Sequence, residues 1–574
     1  MDILPLYVKI HYMIRQLLQE KLSKLAGGAD FDVLVPPDSK LGDYSTNLPF
    51  VLAKQEKKNP KEVAETLKGQ LSLPEADIQV APNGFLNFFL KPEFLQEQLA
   101  EISLNNKYGS SQEGNGKTVI VEYSSPNIAK PMHIGHLRST IIGDALANVY
   151  ENLGYKVIRW NYIGDWGTQF GKVIAGYKKW GNKGTDPDAT AGAGVTMADM
   201  LDWYVRASKE LPEDEGQKEF KKLEDGDTEN RELWRIFKGT SLEGLKGTYD
   251  KLGTHAFDVY KGESDYESEL KPIIEWLEKE GKVKESEGAL VFDLGKYNLP
   301  VGMLRKTDGG TLYLTRDLAS LGDRLKEYKP DRLLYVVANQ QALHFEQLFA
   351  IAHDLKMNTA YLVHVKFGMV LGEDGKKLAT REGKVVPLAD VMEKIVDLAG
   401  TIVKQKNPAL SDQEVHDISH IVGMGALKYN DLKQHPYSDI AFDWKAMLDL
   451  SGNSGPYLQY TYARLANILA KAGSFTLQDS SFTLLSEPNE RTLMKQLLDF
   501  PDAIAKCAEF YTLNALALYL YDLSAAANQF YELVHVLDDD NAARKAARLT
   551  LIATVARTLK QGLNLLGIET LDRI

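Results

Sequence analysis

The apolar positions of this chain change their period along its length, and the changes mark three parts. Residues 7–25 repeat apolar side chains at helical spacing, and residues 84–90 alternate as a strand does. Glu113-Gly114-Asn115-Gly116 reads as a linker and closes the first part near residue 112. Short apolar runs at 118–123, 156–163, 333–338 and 361–370 then alternate with helical patterns after Pro131 and across 344–355. Repeated strand–helix–strand units predict a parallel sheet, right-handed crossovers and a site at the carboxyl ends of the strands. Residues 172–262 interrupt this rhythm and read as an insertion, with a glycine-rich loop at 189–195. From about residue 441 the pattern is helical almost throughout, as in 513–537 and 542–566.

The joint at 122–136 carries the chemistry. The run 118–123 passes into a polar loop, and Pro131 then opens a helix with the apolar stripe Leu137, Ile141, Leu146, Val149 and Leu153, ended by Gly154. A helix amino end at the carboxyl end of a strand favours a phosphate, because its N–H groups are unpaired and its dipole is positive there. His133 and His136, three apart, share a face of the first turn, and each can donate to a phosphoryl oxygen. Gly135 between them lets a flat base approach the backbone. A plain capped helix with two surface histidines is the alternative. The strand before it and the Pro-Asn-x-x-Lys-Pro string ahead of it favour phosphate chemistry.

Composition narrows the setting. The chain has 574 residues, 44% hydrophobic and 25% charged, which is ordinary for a globular protein of several domains. No apolar run is long enough to span a bilayer, and the amino end lacks a signal-peptide plan. A single cysteine, Cys507, cannot form an internal disulfide and reads as a small apolar helix residue, so a reducing, cytoplasmic setting is expected. The net charge of −12 disfavours indiscriminate nucleic-acid binding, yet Arg544, Lys545, Arg548, Arg557 and Lys560 make the last helices locally basic. A solvated helical face is the equal alternative. Nothing in the pattern demands an obligate partner copy, so a monomer is expected.

His133-Ile134-Gly135-His136 is similar to the ATP-binding signature of class I aminoacyl-tRNA synthetases, and Ser124-Ser125-Pro126-Asn127-Ile128-Ala129-Lys130-Pro131 resembles arginyl-tRNA synthetases in particular. Gly164-Asp165-Trp166-Gly167-Thr168-Gln169-Phe170-Gly171, Tyr313-Leu314-Thr315-Arg316-Asp317, Lys377-Leu378-Ala379-Thr380-Arg381 and Gly455-Pro456-Tyr457-Leu458-Gln459-Tyr460 extend the resemblance, in order, over nearly the whole chain. It implies an α/β class: a Rossmann-like parallel-sheet catalytic domain over 113–440 with its insertion at about 172–262, a small α+β domain over 1–112 leaning on the tRNA corner, and an all-α anticodon-binding domain over 441–574. It implies activation of L-arginine by ATP with Mg2+ and transfer to tRNA(Arg), and no dedicated protein metal site is visible.

The roles it implies are as follows. His133, Gly135 and His136 bind ATP, with Lys377 on the pyrophosphate side and Lys376 a competitor for that role. Thr380 stands where the usual second loop has a lysine, and Lys130 supplies the missing cation. Adenine rests on the backbone of Gly368, Met369 and Val370. Asp317 and Tyr313 take the arginine guanidinium, while Glu122, Ser125, Asn127, His133 and Gln341 make the remaining amino-acid contacts; Gly164, Asp165 and Gln169 shape the floor. Asn83, Phe85 and Asn87 are candidates for a splayed tRNA base, although a plain sheet strand explains Phe85 equally well. Tyr457, Tyr460 and Arg464 are candidates for the tRNA's inner side, and Tyr531 with His535, four apart, for an anticodon base. Some relatives carry Trp at His535, and many end in Met where this chain has Ile574. The resemblance also implies that arginine activation needs bound tRNA.

Overall fold

The structure, a computed structural model, describes residues 14–181, 194–307, 310–357, 359–372, 375, 386–473 and 479–574. The first unit runs through α1 (Ile14–Ser23), β1 (Val33–Leu34), β2 (Tyr44–Thr46), α2 (Leu48–Glu56), α3 (Pro60–Gln70), β3 (Ala76–Val80), β4 (Leu86–Leu90) and α4 (Pro92–Leu104). Its strands pair antiparallel in the order β1-β2-β4-β3. Asn59 caps α3 by accepting the Lys61 N–H, and Pro60 fills the first helical position, where no donor is needed.

The middle of the chain holds β5 (Thr118–Glu122), α5 (Ile134–Asn152), β6 (Lys156–Ile163), α6 (Thr168–Gly176), α7 (Met197–Glu210), α8 (Glu215–Glu224), α9 (Thr228–Leu252), β7 (Val259–Gly262) and α10 (Glu267–Lys279). It continues through β8 (Val283–Ser286), β9 (Ala289–Phe292), β10 (Gly302–Arg305), α11 (Tyr313–Glu327), β11 (Arg332–Ala338), α12 (Ala342–Asp354), β12 (Tyr361–Phe367) and β13 (Val370–Leu371). Five strands form a wholly parallel sheet ordered β12-β11-β5-β6-β7. Buried on both faces, β5 and β11 read as continuous apolar runs, which is why their positions agree with the sequence to within a residue.

Two expectations need correction. The run 361–370 is broken, because Gly368 turns where a Cβ would meet Ser438 O and Asp439 Oδ1 at 2.6 Å. Beyond the turn, β13 pairs with a later strand. The insertion is a helical pack that ends before Val259, since β7 rejoins the main sheet beside β6. Its four residues carry too little apolar signal to be read as a strand. The antiparallel sheet β10-β9-β8 was also not expected.

The remainder comprises α13 (Leu388–Lys406), α14 (Asp412–Leu432), β14 (Ile440–Ala441), α15 (Trp444–Met447), α16 (Gly455–Ala472), α17 (Pro488–Leu498), α18 (Phe500–Phe510), α19 (Asn514–Leu533) and α20 (Ala542–Leu565). Charges bind this part to the others. Asp43 of the first unit meets Arg491 at 2.5 Å and Lys495 at 3.4 Å, and Tyr44 donates to Asp499 at 2.9 Å. Arg557 of α20 donates to the carbonyls of Ile102 and Ser103 at the end of α4, where the helix dipole is negative. Arg548 is buried on Glu490 and Asp539, and Arg544 also pairs with Asp539. Arg548 and Arg557 therefore serve as internal struts, which corrects the solvated-face reading for them, while Arg544 keeps a side chain 42% exposed. Lys428 of α14 is buried, and its amine donates to Gly253 O after α9 and to Gly567 O after α20. Burial brings it down to about 8. Cys507 is buried too, which pushes its thiol up to about 12 and leaves it unreactive.

Arg138 of α5 forks onto Asp431 of α14, with Nε and Nη2 within 3.0–3.2 Å of the carboxylate. Both side chains are almost wholly buried, at 1% and 2% exposed. Asp431→Ala strands that guanidinium and is expected to cost roughly 3–5 kcal/mol. Urea unfolding followed by tryptophan fluorescence checks it; an unshifted midpoint contradicts the account.

Candidate functional site

The helix α5 starts at Ile134, three residues later than Pro131 suggests, because His133 takes extended geometry as its N-cap. Its Nδ1 accepts the Gly135 N–H at 3.1 Å, and the His136 Nδ1 accepts the His133 N–H at 3.1 Å. The two rings stack with centroids 3.9 Å apart. A nitrogen that accepts carries no proton, so each neutral ring holds its proton on Nε2 as a donor. Burial, with the His133 ring beside it, holds the His136 imidazole down to about 3. Gly135 is required for a further reason: a Cβ there would meet the His133 ring at 2.9 Å.

The loop before the helix is strained. Ser124 and Ser125 take φ of +68° and +43°, unfavourable for side chains with a Cβ. Ser124 is pinned by Ser139, Thr140 and Tyr249, whereas the buried Ser125 Oγ has no hydrogen-bond partner among the described residues. Asn127 bridges to Gly164, where a Cβ would lie 3.2 Å from the Asn127 Cα. The Lys130 ammonium lies 4.2 Å from the centroid of the Tyr204 ring on α7.

Acidic groups gather at the carboxyl end of the sheet. Register sets Tyr335, Glu122 and Trp160 side by side on β11, β5 and β6. Arg324 of α11 lies over the Trp160 ring at 4.5 Å and approaches Glu122 Oε2 at 2.5 Å. Burial pushes the Glu122 carboxyl up, and Arg324 only partly offsets it. Asp317, one turn beyond the exposed Tyr313 on α11, bonds His344 Nε2 of α12 at 2.5 Å. Glu263, directly after β7, is a third carboxyl of this cluster, missed in the sequence because β7 was missed. Burial lifts it to about 8; Arg316 opposes the rise, while Asp317 and Asp165 add to it. Arg316 itself reaches Glu267 at 3.5 Å. Three carboxyl groups thus face one dedicated cation, Arg324, and one shared with Glu267, Arg316, so the cluster is short of positive charge.

Asp165 anchors the Glu263 loop. It is fully buried, accepts the Ser264 N–H and hydroxyl at 2.9 and 2.6 Å, and pairs with Lys238 at 2.5 Å. A Cβ on Gly262 would strike its carboxylate. The Gln169 Oε1 nearby is buried without a hydrogen-bond partner among the described residues. Gln341 is exposed at the start of α12. Gly368 donates its N–H to Pro436 O, Met369 gives its N–H to Asp439, and Val370 pairs with Ile440, so both of those N–H donors are already engaged. Lys376, Lys377, Thr380 and Arg381 lie outside the described residues.

The distal candidates separate. Asn83 is exposed, Phe85 packs on Phe50 at 4.8 Å, and Asn87 is buried, accepting from Ser45 at 2.7 Å. Tyr457, Tyr460 and Arg464 all fall on α16, and Tyr457 packs against Tyr521. Arg464 also lies 5.2 Å from the Tyr531 ring, joining two groups that the sequence kept apart. The shared face of Tyr531 and His535 is corrected: α19 ends at Leu533, Val534 turns extended, and His535 lies beyond the helix.

Comparison with known proteins agrees with this layout. Family models match residues 12–90 (arginyl tRNA synthetase N terminal domain), 98–444 (tRNA synthetases class I (R), catalytic domain) and 458–574 (DALR anticodon binding domain). The arginine–tRNA ligase of Ligilactobacillus salivarius (strain UCC118) is 39% identical over 98% of this chain and 98% of its own. The crystal structure of the Plasmodium falciparum arginyl-tRNA synthetase superposes with a TM-score of 0.83 at 26% identity, covering 98% of this chain and 99% of that one. The Thermus thermophilus enzyme gives 0.82 at 27% identity, covering 98% and 100%.

The histidine pair makes a direct prediction. The His136 ring is expected to stay neutral from about pH 8 to about pH 5, well below the ordinary imidazole value. Its ring C–H resonance, assigned by difference with His136→Gln, should not move over that range. A titration centred near the ordinary value contradicts the cap geometry.

Proposed function

This chain belongs to the arginyl-tRNA synthetases, and we propose that it activates L-arginine with ATP and passes the arginyl group to the 3′-terminal ribose of tRNA(Arg). The observation that carries the reading is the cation-deficient carboxyl cluster beside the start of α5. A guanidinium is planar, permanently charged and able to fork onto carboxylates, so it completes that cluster. In the first step the arginine carboxylate attacks the α-phosphorus and pyrophosphate leaves. The protein aligns two anions and offsets the charge that builds on phosphorus. The Nε2–H groups of His133 and His136 and the Lys130 ammonium suit that role, with Lys377 on the pyrophosphate side. Asp317, Glu263 and Tyr313 receive the guanidinium. Glu122 keeps Arg324 in place beneath them, and Ser125, Asn127 and Gln341 meet the amino-acid end.

Mg2+ enters with ATP. Among the described residues no group of three acidic, imidazole or thiol side chains is placed to hold a metal. We divide the chain at 112 and 440, and Tyr457, Tyr460, Arg464, Tyr531 and His535 give the last domain its RNA-facing candidates, with Asn83 and Phe85 at the other end. We place the protein in the cytoplasm as a monomer.

Pyrophosphate exchange with and without arginine and tRNA tests the assignment: exchange should require arginine and rise with tRNA, and exchange indifferent to arginine refutes it. Asp317→Asn is expected to lose roughly 2–5 kcal/mol of arginine-dependent transition-state stabilisation while ATP binding persists. An unchanged kcat/KM for arginine sinks that role.

Glu263 adds a pH dependence. With its carboxyl near 8 in the free protein, it is mostly protonated at neutral pH, and a bound guanidinium favours the carboxylate. Arginine binding should therefore release close to one proton near pH 7, and affinity should climb with pH until Glu263 is ionised beforehand. Calorimetry in buffers of different ionisation enthalpy reads the release. Glu263→Gln should abolish it, and release unaffected by that change points elsewhere.

A further inference from the structure

Lys130 is a cation that the described residues hold without a counter-charge. Among the described residues no carboxylate lies within ion-pair distance of it, and its Nζ instead sits 4.2 Å from the centroid of the Tyr204 ring. The Lys172 ammonium of α6 approaches the same ring at 5.8 Å. A carboxylate partner would fix the lysine but cancel the charge it must offer a phosphate. An aromatic face attracts an ammonium and leaves that charge intact. Burial raises the Tyr204 phenol, but a hydrogen bond with Lys130, the charges of Lys130 and Lys172 and a hydrogen bond with Ser208 together outweigh this, so it ends below its ordinary value; the ring sits in a cationic setting.

The ring's own placement is firm. Tyr204 follows Trp203, which is buried and stacks edge-on against Tyr177 at 5.2 Å. The helices α6 and α7 meet so closely that a Cβ on Gly176 would lie 2.7 Å from Trp203. Farther along α7, Arg206 lies over Trp180 at 4.2 Å. The helical insertion thus has a fixed purchase on the loop that precedes α5.

We propose that Tyr204 is a positioning residue for adenylate formation: its ring is the rest that aims the Lys130 ammonium at the phosphates of ATP, and the insertion acts on the chemistry through it. The inference rests on the phosphate-facing role of Lys130 given above. The test is pyrophosphate exchange by the full-length enzyme, with arginine and tRNA present, in Lys130→Ala, Tyr204→Ala, Tyr204→Phe and the Lys130→Ala/Tyr204→Ala double variant. Tyr204→Ala should lower the exchange rate roughly tenfold, with arginine binding and thermal transition unchanged, and Tyr204→Phe should restore it to within about threefold. The double variant should be no slower than Lys130→Ala, because the ring acts only through the lysine. If Lys130→Ala exchanges normally, the role of Lys130 falls and this inference falls with it. If Lys130→Ala is impaired but Tyr204→Ala is normal, if the two losses multiply, or if Tyr204→Phe is as slow as Tyr204→Ala, the inference alone is overturned.

Discussion

The pairing of Glu122 with Arg324 is the constraint on which the site depends. Both groups lie under the sheet's carboxyl end, out of water, where neither charge could stand alone. Arg324 holds its place because Trp160 and Tyr335, on the strands flanking β5, face the same way as Glu122 and give the guanidinium aromatic surfaces. With Arg324 committed to Glu122 in this way, Asp317, held by His344, and the largely protonated Glu263 are left above it without a dedicated cation. The register of the parallel sheet brings Tyr335, Glu122 and Trp160 level at its carboxyl end, where ligand sites of such sheets lie.

Much of the fold was legible because buried parallel strands are unbroken apolar runs and α5 carries a clear helical stripe. What escaped were elements whose sequence is short or polar. The four-residue β7 pairs on one side only and needs little apolar content, so the insertion seemed to extend through it. The antiparallel trio β8 to β10 is equally brief. The break at Gly368 depends on Ser438 and Asp439, some seventy residues later, and no local pattern encodes it.

The candidate site divides in the same way. His133 and His136 were readable because spacing along one helix turn is a local property. Glu263 was unreadable because its significance comes from the end of a missed strand. Side-chain pairing also reassigned meanings that composition had left open: Arg548 and Arg557 of α20 turn inward as struts, and the Asn87 amide oxygen accepts from Ser45. His535 shows the limit of counting by fours, since a helix must continue for the count to hold. Lys130 was singled out for its charge, but only the fold supplies Tyr204, some seventy positions away, as its support.

The struts between the first unit and the helical end of the chain bear on how a long RNA is measured. Asp43, Tyr44 and the end of α4 are fastened to Arg491, Asp499 and Arg557, so residues from opposite ends of the sequence are held against one another. For an RNA gripped by both, the distance between grips would be set by the protein before binding. A molecule of the right span would then gain the second contact at high effective concentration, and one of the wrong span would keep only the first.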